Sequence, residues 1–239
     1  MGHYFEVFAL PALGVIVIGY LLGSVSSSII FTKIFGNNTD IRDMGSGNAG
    51  MTNVLRSVGA KAAIFTSILD FAKCVIASLI GREIFRAVCT ASSAPSYIVQ
   101  YGALLAGLAC VLGHIFPLYF GFRGGKGILS TSALMLVLDW RIFVIAVSVF
   151  VVTLLVTKII SISSIFAAAS FPISAFFTTY SDYISRSSGY GVLPASYVAV
   201  TTAIAFVFAV ILIGKHHENI RRLKEGTEKK VSVKHKKKQ

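Results

Sequence analysis

A short glycine-rich segment, Gly45–Gly50 (GSGNAG), carries one hydroxyl and one amide side chain and is followed six positions later by the cation Arg56. Glycines let backbone N–H groups converge on an oxyanion, and a helix that begins near Ala49 would direct its N-terminus at the same point. In such a helix Asn48, Thr52 and Arg56 share one face. The segment therefore predicts an anion site, and a glycine-rich turn with Arg56 as a charged anchor is the alternative.

The same segment fits the pattern G-x-G-x-x-G, and Asp70 lies twenty positions after Gly50, as in a dinucleotide-binding fingerprint. That fingerprint requires a strand before it and a soluble βαβ unit around it. Here the flanking segments are Leu10–Phe31 and Ala62–Ile80, which are apolar runs long enough to cross a bilayer. This context excludes dinucleotide binding.

A second glycine-rich segment runs from Phe120 to Gly127 and contains Gly124, Gly125 and Lys126. It does not fit the P-loop pattern, since Phe120 replaces the first glycine and Gly127 replaces the final Ser or Thr. Nucleotide hydrolysis is therefore not indicated. The glycines still permit close backbone approach, and Lys126 can bind a phosphate as a point charge. A flexible hinge with an interfacial lysine is the alternative.

Three more polar side chains stand at predicted span ends. Ser161, within Lys158–Ser164, offers a hydroxyl, although serines in membrane helices commonly bond to their own backbone or a neighbouring helix. His216 and Asn219 share one face of an amphipathic helix that is predicted to continue the last apolar span into water. His114, taken alone, is interpreted as a hydrogen-bonded packing residue.

Two opposite charges, Asp70 and Lys73, fall three residues apart within the second apolar segment. An unpaired charge near the bilayer centre costs about 2.5–3.5 kcal/mol on insertion scales, so we expect the two side chains to neutralise each other. A structural ion pair is favoured over direct support of the anion site.

These residues must be positioned by membrane helices, because 55% of the chain is hydrophobic, only 13% is charged and the mean hydropathy is +0.77. The pattern predicts an all-α, polytopic helical bundle of about seven transmembrane helices. The fourth is short for a bilayer, so a tilted or re-entrant segment and a count of six are the alternative. The seven apolar spans are Leu10–Phe31, Ala62–Ile80, Ile98–Phe120, Gly127–Leu138, Ile142–Thr157, Ile159–Tyr180 and Tyr197–Ile213.

The basic residues sort to one face of this bundle. With seven spans, 17 of the 22 Lys and Arg residues fall in the odd-numbered loops and the C-terminal tail. The positive-inside rule then predicts an N-terminus outside the cell and a cytoplasmic face that carries both glycine-rich segments, the Lys158–Ser164 turn and the tail. All candidate site residues are thus expected on the cytoplasmic side.

The chain is predicted to hold one integral-membrane domain, residues 1–228, and a basic, disordered tail, residues 229–239. The first apolar run is not a signal peptide, because it lacks a basic start and is too long. The net charge of +12 is concentrated in the tail, which favours contact with anionic lipid over nucleic acid. The three cysteines are scattered and indicate neither disulfides nor a metal site.

Four motifs, in order along nearly the whole chain, together resemble the bacterial acyl-phosphate:glycerol-3-phosphate acyltransferases of the PlsY type. Several motifs in the correct order are far more specific than any one of them. The four are Gly45-Ser46-Gly47-Asn48-x-Gly50-x-Thr52-Asn53-Val54-x-Arg56, Leu69-Asp70-x-x-Lys73, Gly113-His114-x-Phe116-Pro117 with Gly124-Gly125-Lys126-Gly127, and His216-x-x-Asn219-Ile220-x-Arg222-Leu223.

The resemblance implies an enzyme of the bacterial cytoplasmic (inner) membrane that acylates glycerol 3-phosphate at the sn-1 hydroxyl from acyl phosphate. Lysophosphatidate and phosphate would be the products, no cofactor or metal is implied, and a functional link to an enzyme that makes acyl phosphate is expected. The expected catalytic residues are Ser46, His216 and Asn219. The expected substrate- and phosphate-binding residues are Gly47, Asn48, Asn53, Arg56, Gly124, Gly125, Lys126 and Ser161. The turn containing Ser161 matches the family pattern only loosely.

No histidine in the chain is followed by Asp after four intervening residues, so the His-x4-Asp base of other glycerolipid acyltransferases is absent. The base is then either His216 or an oxygen of the donor's own phosphate, and substrate assistance is favoured because a histidine beside two phosphates tends to be protonated. The alternatives are an acyltransferase that uses acyl-CoA or acyl carrier protein, a transporter of a phosphorylated solute and a noncatalytic scaffold.

Overall fold

The computed structural model describes residues 2–186 and 188–231, and all regular structure in these ranges is helical. Three short 3₁₀ turns, at Ile41–Asp43, Ser96–Ile98 and Leu118–Phe120, connect longer elements. The α-helices of the described ranges are α1 (Gly2–Gly23), α2 (Ser27–Phe35), α3 (Met51–Ser57), α4 (Ala60–Ser92), α5 (Val99–Ile115), α6 (Ile128–Leu138), α7 (Trp140–Thr157), α8 (Ile160–Ser185), α9 (Ala195–Gly214) and α10 (His217–Lys224).

Within the described residues, six segments are long and apolar enough to cross a membrane, and α6 is a shorter apolar helix where the short fourth span is predicted. The predicted all-α membrane bundle is thereby confirmed. The six long segments are Glu6–Phe35, Ala60–Ser92, Ser96–Phe120, Trp140–Thr157, Ile160–Ser185 and Ala195–Gly214.

Helix α6 is short for a membrane span. It begins at Ile128, and at its far end the Leu138 carbonyl accepts a hydrogen bond of 3.4 Å from Gln100 Nε2, near the start of α5. Its 11 residues span about 16 Å, roughly half the hydrocarbon thickness of a bilayer. Helix α6 alone is therefore too short to cross the hydrocarbon layer.

The first predicted span is interrupted, because α1 ends at Gly23 and α2 begins at Ser27. The ammonium of Lys73 on α4 donates hydrogen bonds to the carbonyls of Gly23 (3.0 Å) and Val25 (2.7 Å), which the break leaves without helical partners. Close packing holds α1 against α5, since a methyl group on Gly23 would lie 2.1 Å from the Cys110 carbonyl oxygen.

The predicted pairing of Asp70 with Lys73 is confirmed. Asp70 Oδ1 lies 3.0 Å from Lys73 Nζ, accepts a 2.5 Å hydrogen bond from Ser27 and is 3.3 Å from His114 Nδ1. His114 Nδ1 is also 3.1 Å from Lys73 Nζ. The cluster joins the α1–α2 break to α4 and α5, which agrees with the interpretation of His114 as a hydrogen-bonded packing residue.

Three apolar clusters stabilise the described part of the bundle, and two of them lie next to the candidate site residues. The larger joins α4–α9, with Leu104, Leu134, Phe171 and Phe208 among its buried members. The smaller lies beneath the first glycine-rich segment; its buried members are Ile29, Ile41, Ala49, Val54, Ala62 and Ala63. The second cluster anchors the loop that carries the first group of candidate site residues.

Several predicted span ends differ from the observed helix ends, and the largest difference is at the end of α4. Helix α4 continues twelve residues beyond the predicted end at Ile80, because Arg86 and Glu83 form an exposed ion pair of 2.5 Å along the helix instead of ending it. In the predicted tail 229–239, Val231 N donates to the Lys158 carbonyl at 2.7 Å, and residues 232–239 lie outside the described ranges.

Candidate functional site

A cavity of about 310 Å³ opens where the two glycine-rich segments, the start of α8 and helix α10 meet. Of the eleven predicted site residues, eight line it: Ser46, Asn48, Asn53, Arg56, Lys126, Ser161, His216 and Asn219. Gly47, Gly124 and Gly125 are not among the lining residues. The cavity also takes in Thr52, which belongs with Asn48 and Arg56 to the predicted anion site. Arg222 and Glu228, which were not predicted as site residues, line it as well.

The first glycine-rich segment is shaped by the side chain of Asn53. This amide is 2% exposed and donates to the carbonyls of Ile41, Met44 and Asn48 at 3.1, 2.9 and 3.1 Å. Its Oδ1 accepts a hydrogen bond of 3.0 Å from the Ser46 N–H. Since these bonds engage both ends of the amide, Asn53 positions the loop that presents the Ser46 and Asn48 side chains.

Helix α3 begins at Met51, two residues after the predicted start near Ala49, and carries Thr52 and Arg56 towards the cavity. Asn48 precedes the helix, so the three polar residues meet at the cavity without all belonging to one helical face. Gly47 has a positive φ of 69°, and its N–H donates to the Met44 carbonyl at 3.0 Å. Gly47 thus forms the turn of the loop.

Arg42 fastens the first glycine-rich segment to the second. Its guanidinium pairs with Asp40 at 2.7 Å and donates a hydrogen bond of 2.7 Å to the Phe120 carbonyl. The hydrogen bonds from Arg42 hold the pKa of Asp40 below its usual range. This link was not predicted, because the sequence around Arg42 gives no sign of a partner 78 residues away.

Gly124 and Gly125 are predicted substrate- or phosphate-binding residues, and in the structure their N–H groups are engaged within the protein. Their N–H groups donate to the carbonyls of Ile115 and His114, both at 3.2 Å, which end α5. A methyl group would lie 2.0 Å from the His114 carbonyl oxygen at Gly124 and 2.3 Å from His114 Nε2 at Gly125. Both glycines serve close packing of the loop against α5, and this packing delivers Lys126 to the cavity.

Lys126 is half-buried, and its ammonium donates a hydrogen bond to Oδ1 of Asn219. Burial and the nearby cations Arg222 and Arg56 lower its pKa to about 8, although Glu228 and Glu218 act in the opposite direction. A lysine that is partly buried among other cations is well suited to bind an anion, because a bound phosphate would replace the water that the ammonium has lost.

The predicted continuous helix through His216 and Asn219 is wrong: α9 ends at Gly214 and a separate α10 starts at His217. The break tucks His216 inward, where it is 2% exposed and lies on the cavity wall with Asn219. Hydrophobic patterning does not reveal this bend, because α10 is polar and its amphipathic spacing also fits an extension of α9.

His216 Nδ1 lies 2.7 Å from the Leu212 carbonyl oxygen, which assigns the ring proton to Nδ1 and leaves Nε2 as an acceptor. Burial, with a contribution from Lys126, lowers the pKa of His216 to about 4. The protein's own groups therefore favour a neutral His216 near pH 7, whereas the expected protonation concerns a histidine beside two phosphates.

Ser161 lies in the first turn of α8 and donates a hydrogen bond of 2.8 Å to Glu228 Oε1. The same carboxylate accepts from Asn219 Nδ2 and Arg222 Nε, each at 2.7 Å. Although burial raises its pKa, these hydrogen bonds bring the pKa of Glu228 below the usual value. Glu228 is a site residue that no local motif identified.

The remaining wall of the cavity is mostly apolar, with the hydroxyl residues Thr131, Ser132 and Ser164 among its members. It runs between α6, α7 and α8, and its apolar side chains are Leu129, Met135, Ala146, Val147, Phe150, Ala167 and Ala168. A hydrocarbon chain buries favourably against such a surface, at about 0.8 kcal/mol per CH₂. One cavity thus presents cations for a phosphate and an apolar wall for a lipid chain.

The fold and the site together define an integral membrane protein that can hold a phosphate next to an acyl chain. A family model described as glycerol-3-phosphate acyltransferase matches residues 13–226. A glycerol-3-phosphate acyltransferase from Coxiella burnetii is 36% identical over 220 residues, covering 91% of this chain and 97% of the relative. One from Brucella canis is 34% identical over 222 residues, covering 93% and 94%.

Solved structures give the same result. The chain is similar to the crystal structure of PlsY (YgiH), an integral membrane glycerol 3-phosphate acyltransferase, in its glycerol 3-phosphate form. The TM-score is 0.70 and the identity 31%, with 93% of this chain and 96% of that chain covered. For the lysophosphatidic acid form the TM-score is 0.69 and the identity 30%. The chain belongs to the glycerol-3-phosphate acyltransferase family and is an enzyme of the membrane.

Proposed function

We propose that this enzyme transfers a fatty acyl chain from acyl phosphate to the sn-1 hydroxyl of glycerol 3-phosphate, giving lysophosphatidate and inorganic phosphate. The observation that carries the proposal is the single cavity in which Arg56, Lys126 and Arg222 face an apolar wall. Glycerol 3-phosphate needs the cations, and the acyl chain of donor and product needs the wall. Family membership and a relative solved in glycerol 3-phosphate and lysophosphatidic acid forms support the choice of acceptor and product.

The polar residues divide into binding and catalytic groups. Arg56 and Lys126 bind phosphate, with Asn48 and Ser161 beside them. Ser46, His216 and Asn219 orient the reacting hydroxyl and the acyl phosphate. Four predicted residues act by holding the two loops in place. Asn53 does so with its side-chain amide, and Gly47, Gly124 and Gly125 do so with their backbone N–H groups.

In the proposed reaction the sn-1 hydroxyl attacks the acyl carbonyl, the carbonyl carbon–oxygen bond to phosphate breaks, and the hydroxyl proton passes to the departing phosphate. His216 is a weak base at a pKa of about 4. The oxygens of the departing phosphate gain negative charge as its bond to the acyl group breaks, so they become better proton acceptors during the step. Substrate assistance is thus favoured by the weakness of His216 as a base. Proximity and charge neutralisation supply the remaining acceleration, since phosphate is a good leaving group.

The setting proposed for the reaction is the bacterial cytoplasmic (inner) membrane, with the N-terminus outside and the site open to the cytoplasm. The positive-inside distribution of Lys and Arg supports this orientation. Residues 1–228 form one catalytic domain, and the basic tail 229–239 contacts anionic lipid. Acyl phosphate is a reactive mixed anhydride, which favours a functional link to the enzyme that makes it.

The function is tested with purified protein in liposomes, labelled glycerol 3-phosphate, and palmitoyl phosphate, palmitoyl-CoA or palmitoyl acyl carrier protein supplied separately. Labelled lysophosphatidate is expected from palmitoyl phosphate alone. Formation from palmitoyl-CoA or the carrier protein, with none from palmitoyl phosphate, would overturn the donor. Uptake of label into the vesicles without any product would instead support the transporter alternative.

A further inference from the structure

The chain immediately beyond α10 folds back onto the cavity. Gly226, with a φ of 70°, ends the helix, and the N–H groups of Thr227 and Glu228 both donate to the Arg222 carbonyl, at 2.8 and 3.2 Å. Val231 N then donates to the Lys158 carbonyl at 2.7 Å. Backbone bonds on either side therefore fix where the Glu228 side chain points. The family match ends at residue 226, so this segment lies beyond it.

The Glu228 carboxylate is 7% exposed and is surrounded by donors from two helices. Ser161 Oγ on α8 and Asn219 Nδ2 on α10 donate to Oε1, at 2.8 and 2.7 Å. Arg222 Nε donates to Oε2 at 2.7 Å. A buried carboxylate with three donors is well satisfied, and such charge-assisted bonds are stronger than neutral ones.

These contacts determine how two other site residues face the cavity. Because Asn219 turns its Nδ2 towards Glu228, its Oδ1 is directed at the Lys126 ammonium and accepts a hydrogen bond from it. Arg222 uses Nε for Glu228, and its Nη1 is 3.7 Å from the exposed Glu218. Without the carboxylate, Asn219 keeps only Lys126 of these two partners, and Arg222 keeps only the longer contact with Glu218.

We propose that Glu228 is a positioning residue for glycerol 3-phosphate: it orients Asn219, and through it Lys126, and holds Arg222 so that these groups receive the phosphate. The inference rests on the proposed function of the cavity. It assigns no contact between Glu228 and the substrate, since the carboxylate repels a phosphate.

A competing account is that Glu228 occupies the phosphate position and inhibits the enzyme. A carboxylate that imitates phosphate would pair with the most available cations. Glu228 instead meets Lys126 only through Asn219, and its remaining oxygen faces the side of Arg222. Arg56 is not among its hydrogen-bond or ion-pair partners within the described residues. Glu228 therefore orients Asn219 and Arg222 and does not occupy the position of a phosphate.

The charge of Glu228 also acts on Lys126. The charged and titratable groups around Lys126 are Arg56 on α3, Glu218 and Arg222 on α10, His216 before α10, and Glu228. Glu228 raises the pKa of Lys126 against burial and against both arginines. Removal of this negative charge is therefore expected to lower the pH above which Lys126 loses its proton.

The test compares Glu228→Ala and Glu228→Gln with the control Glu225→Gln, which removes one charge at an exposed residue whose only ion pair in the described structure is a 4.0 Å contact with Arg221. Steady-state rates with palmitoyl phosphate give kcat and KM for glycerol 3-phosphate, and calorimetry gives its affinity directly. Glu228→Ala is expected to raise KM roughly tenfold, with a smaller change in kcat. Glu228→Gln should fall between the alanine variant and the unaltered enzyme.

The pH profile distinguishes positioning from a purely structural role. In Glu228→Gln the alkaline limb of kcat/KM should move to lower pH, while Glu225→Gln should leave it in place. A lower KM in both Glu228 variants would show that the carboxylate competes with substrate and would overturn the proposal. An unchanged KM and an unchanged limb would also overturn it. If the alanine variant does not fold, the glutamine variant decides both readouts.

Failure of the proposed function looks different. In that case the unaltered enzyme makes no lysophosphatidate from palmitoyl phosphate, whatever the Glu228 variants do. Calorimetric binding of glycerol 3-phosphate to the unaltered and Glu228→Gln proteins still tests the positioning role, because it requires no donor. Equal affinities of the two proteins would refute positioning even then.

Discussion

The bundle holds two charged clusters that differ in balance. Around Asp70 the carboxylate faces Lys73, His114 and Ser27, and the Lys73 ammonium also donates to two backbone carbonyls. Around the cavity the described lining residues include three cations, Arg56, Lys126 and Arg222, and the acid Glu228. Glu218 is an exposed neighbour of Arg222, and Asp70 already has its own partners. The balanced cluster joins helices, and the unbalanced cluster is left with positive charge for a ligand.

The comparison explains why similar residue types carry different roles. Burying an ion pair removes water from both charges, and good geometry does little more than offset that cost. The intact cluster therefore adds little to stability, but removal of one partner leaves the other charge buried alone and is strongly destabilising. An excess of cations at a partly open cavity is unfavourable by itself, as the lowered pKa of Lys126 indicates. An anionic substrate neutralises the excess positive charge, so the repulsion between the cations is relieved on binding and contributes to the affinity.

Breaking the balanced cluster should have the largest effect. Lys73→Met leaves Asp70, which is 2% exposed, beside a neutral side chain and removes both hydrogen bonds to the α1–α2 break. We expect a loss of about 3–5 kcal/mol, seen as a large fall in apparent Tm and in monodisperse protein. Lys33→Met, at an exposed lysine on α2, is the control. Equal Tm values for the two variants would contradict a structural role for the cluster.

A substitution in the unbalanced cluster should leave the stability of the protein unchanged and strongly lower its activity. Lys126→Met is expected to lower kcat/KM for glycerol 3-phosphate roughly a hundredfold, because a charge-assisted contact to phosphate is lost in a site shielded from water. Apparent Tm should not fall. Arg123→Gln changes an exposed cation three residues earlier in the same loop and should retain activity. A similar loss in both variants would show that general loop charge, and not the cavity, matters.

A smaller effect is expected at His216. If the donor phosphate takes the proton, His216→Ala should lower kcat by about tenfold or less, since the ring contributes orientation, whereas loss of a general base typically costs 10²–10⁴. The exposed neighbour His217→Ala is the matched control. Complete loss of turnover with binding of both substrates preserved would identify His216 as the base.

The pH dependence sharpens the comparison further. A pKa of about 8 for Lys126 means that the ammonium is present below pH 8 and is lost above it, so kcat/KM should be flat up to that region and then fall. Lys126→Arg, which keeps its proton, should lack this limb. The profile is measured against an enzyme-free blank, which corrects for alkaline hydrolysis of the donor. The same limb in both enzymes would assign it to another group.

Hydrophobic patterning predicted the spans well, and motif spacing predicted which segments meet at the cavity. Hydrophobic patterning did not predict the break after Gly23, because the ammonium that donates to the Gly23 carbonyl belongs to Lys73, which lies 50 residues away. The packing of Gly124 and Gly125 depends likewise on carbonyls at the end of α5. Short-range glycine patterns cannot separate a phosphate loop from a loop that packs closely on a helix.

Glu228 shows the same limit more clearly. Its carboxylate reaches the cavity because Gly226 reverses the chain and Val231 bonds to Lys158. Neither step leaves a pattern near Glu228, which reads as one acid before a basic tail. A buried carboxylate amid cations becomes visible only when contacts between distant segments are known.

The most direct test of the central claim measures labelled glycerol 3-phosphate binding and lysophosphatidate formation from palmitoyl phosphate in one liposome preparation. The unaltered enzyme and Lys126→Met are compared at equal amounts of folded protein. The account predicts binding and product for the unaltered enzyme and a joint, roughly hundredfold loss for Lys126→Met. Full binding and full product formation by Lys126→Met would contradict the claim that unbalanced positive charge in this cavity receives the phosphate.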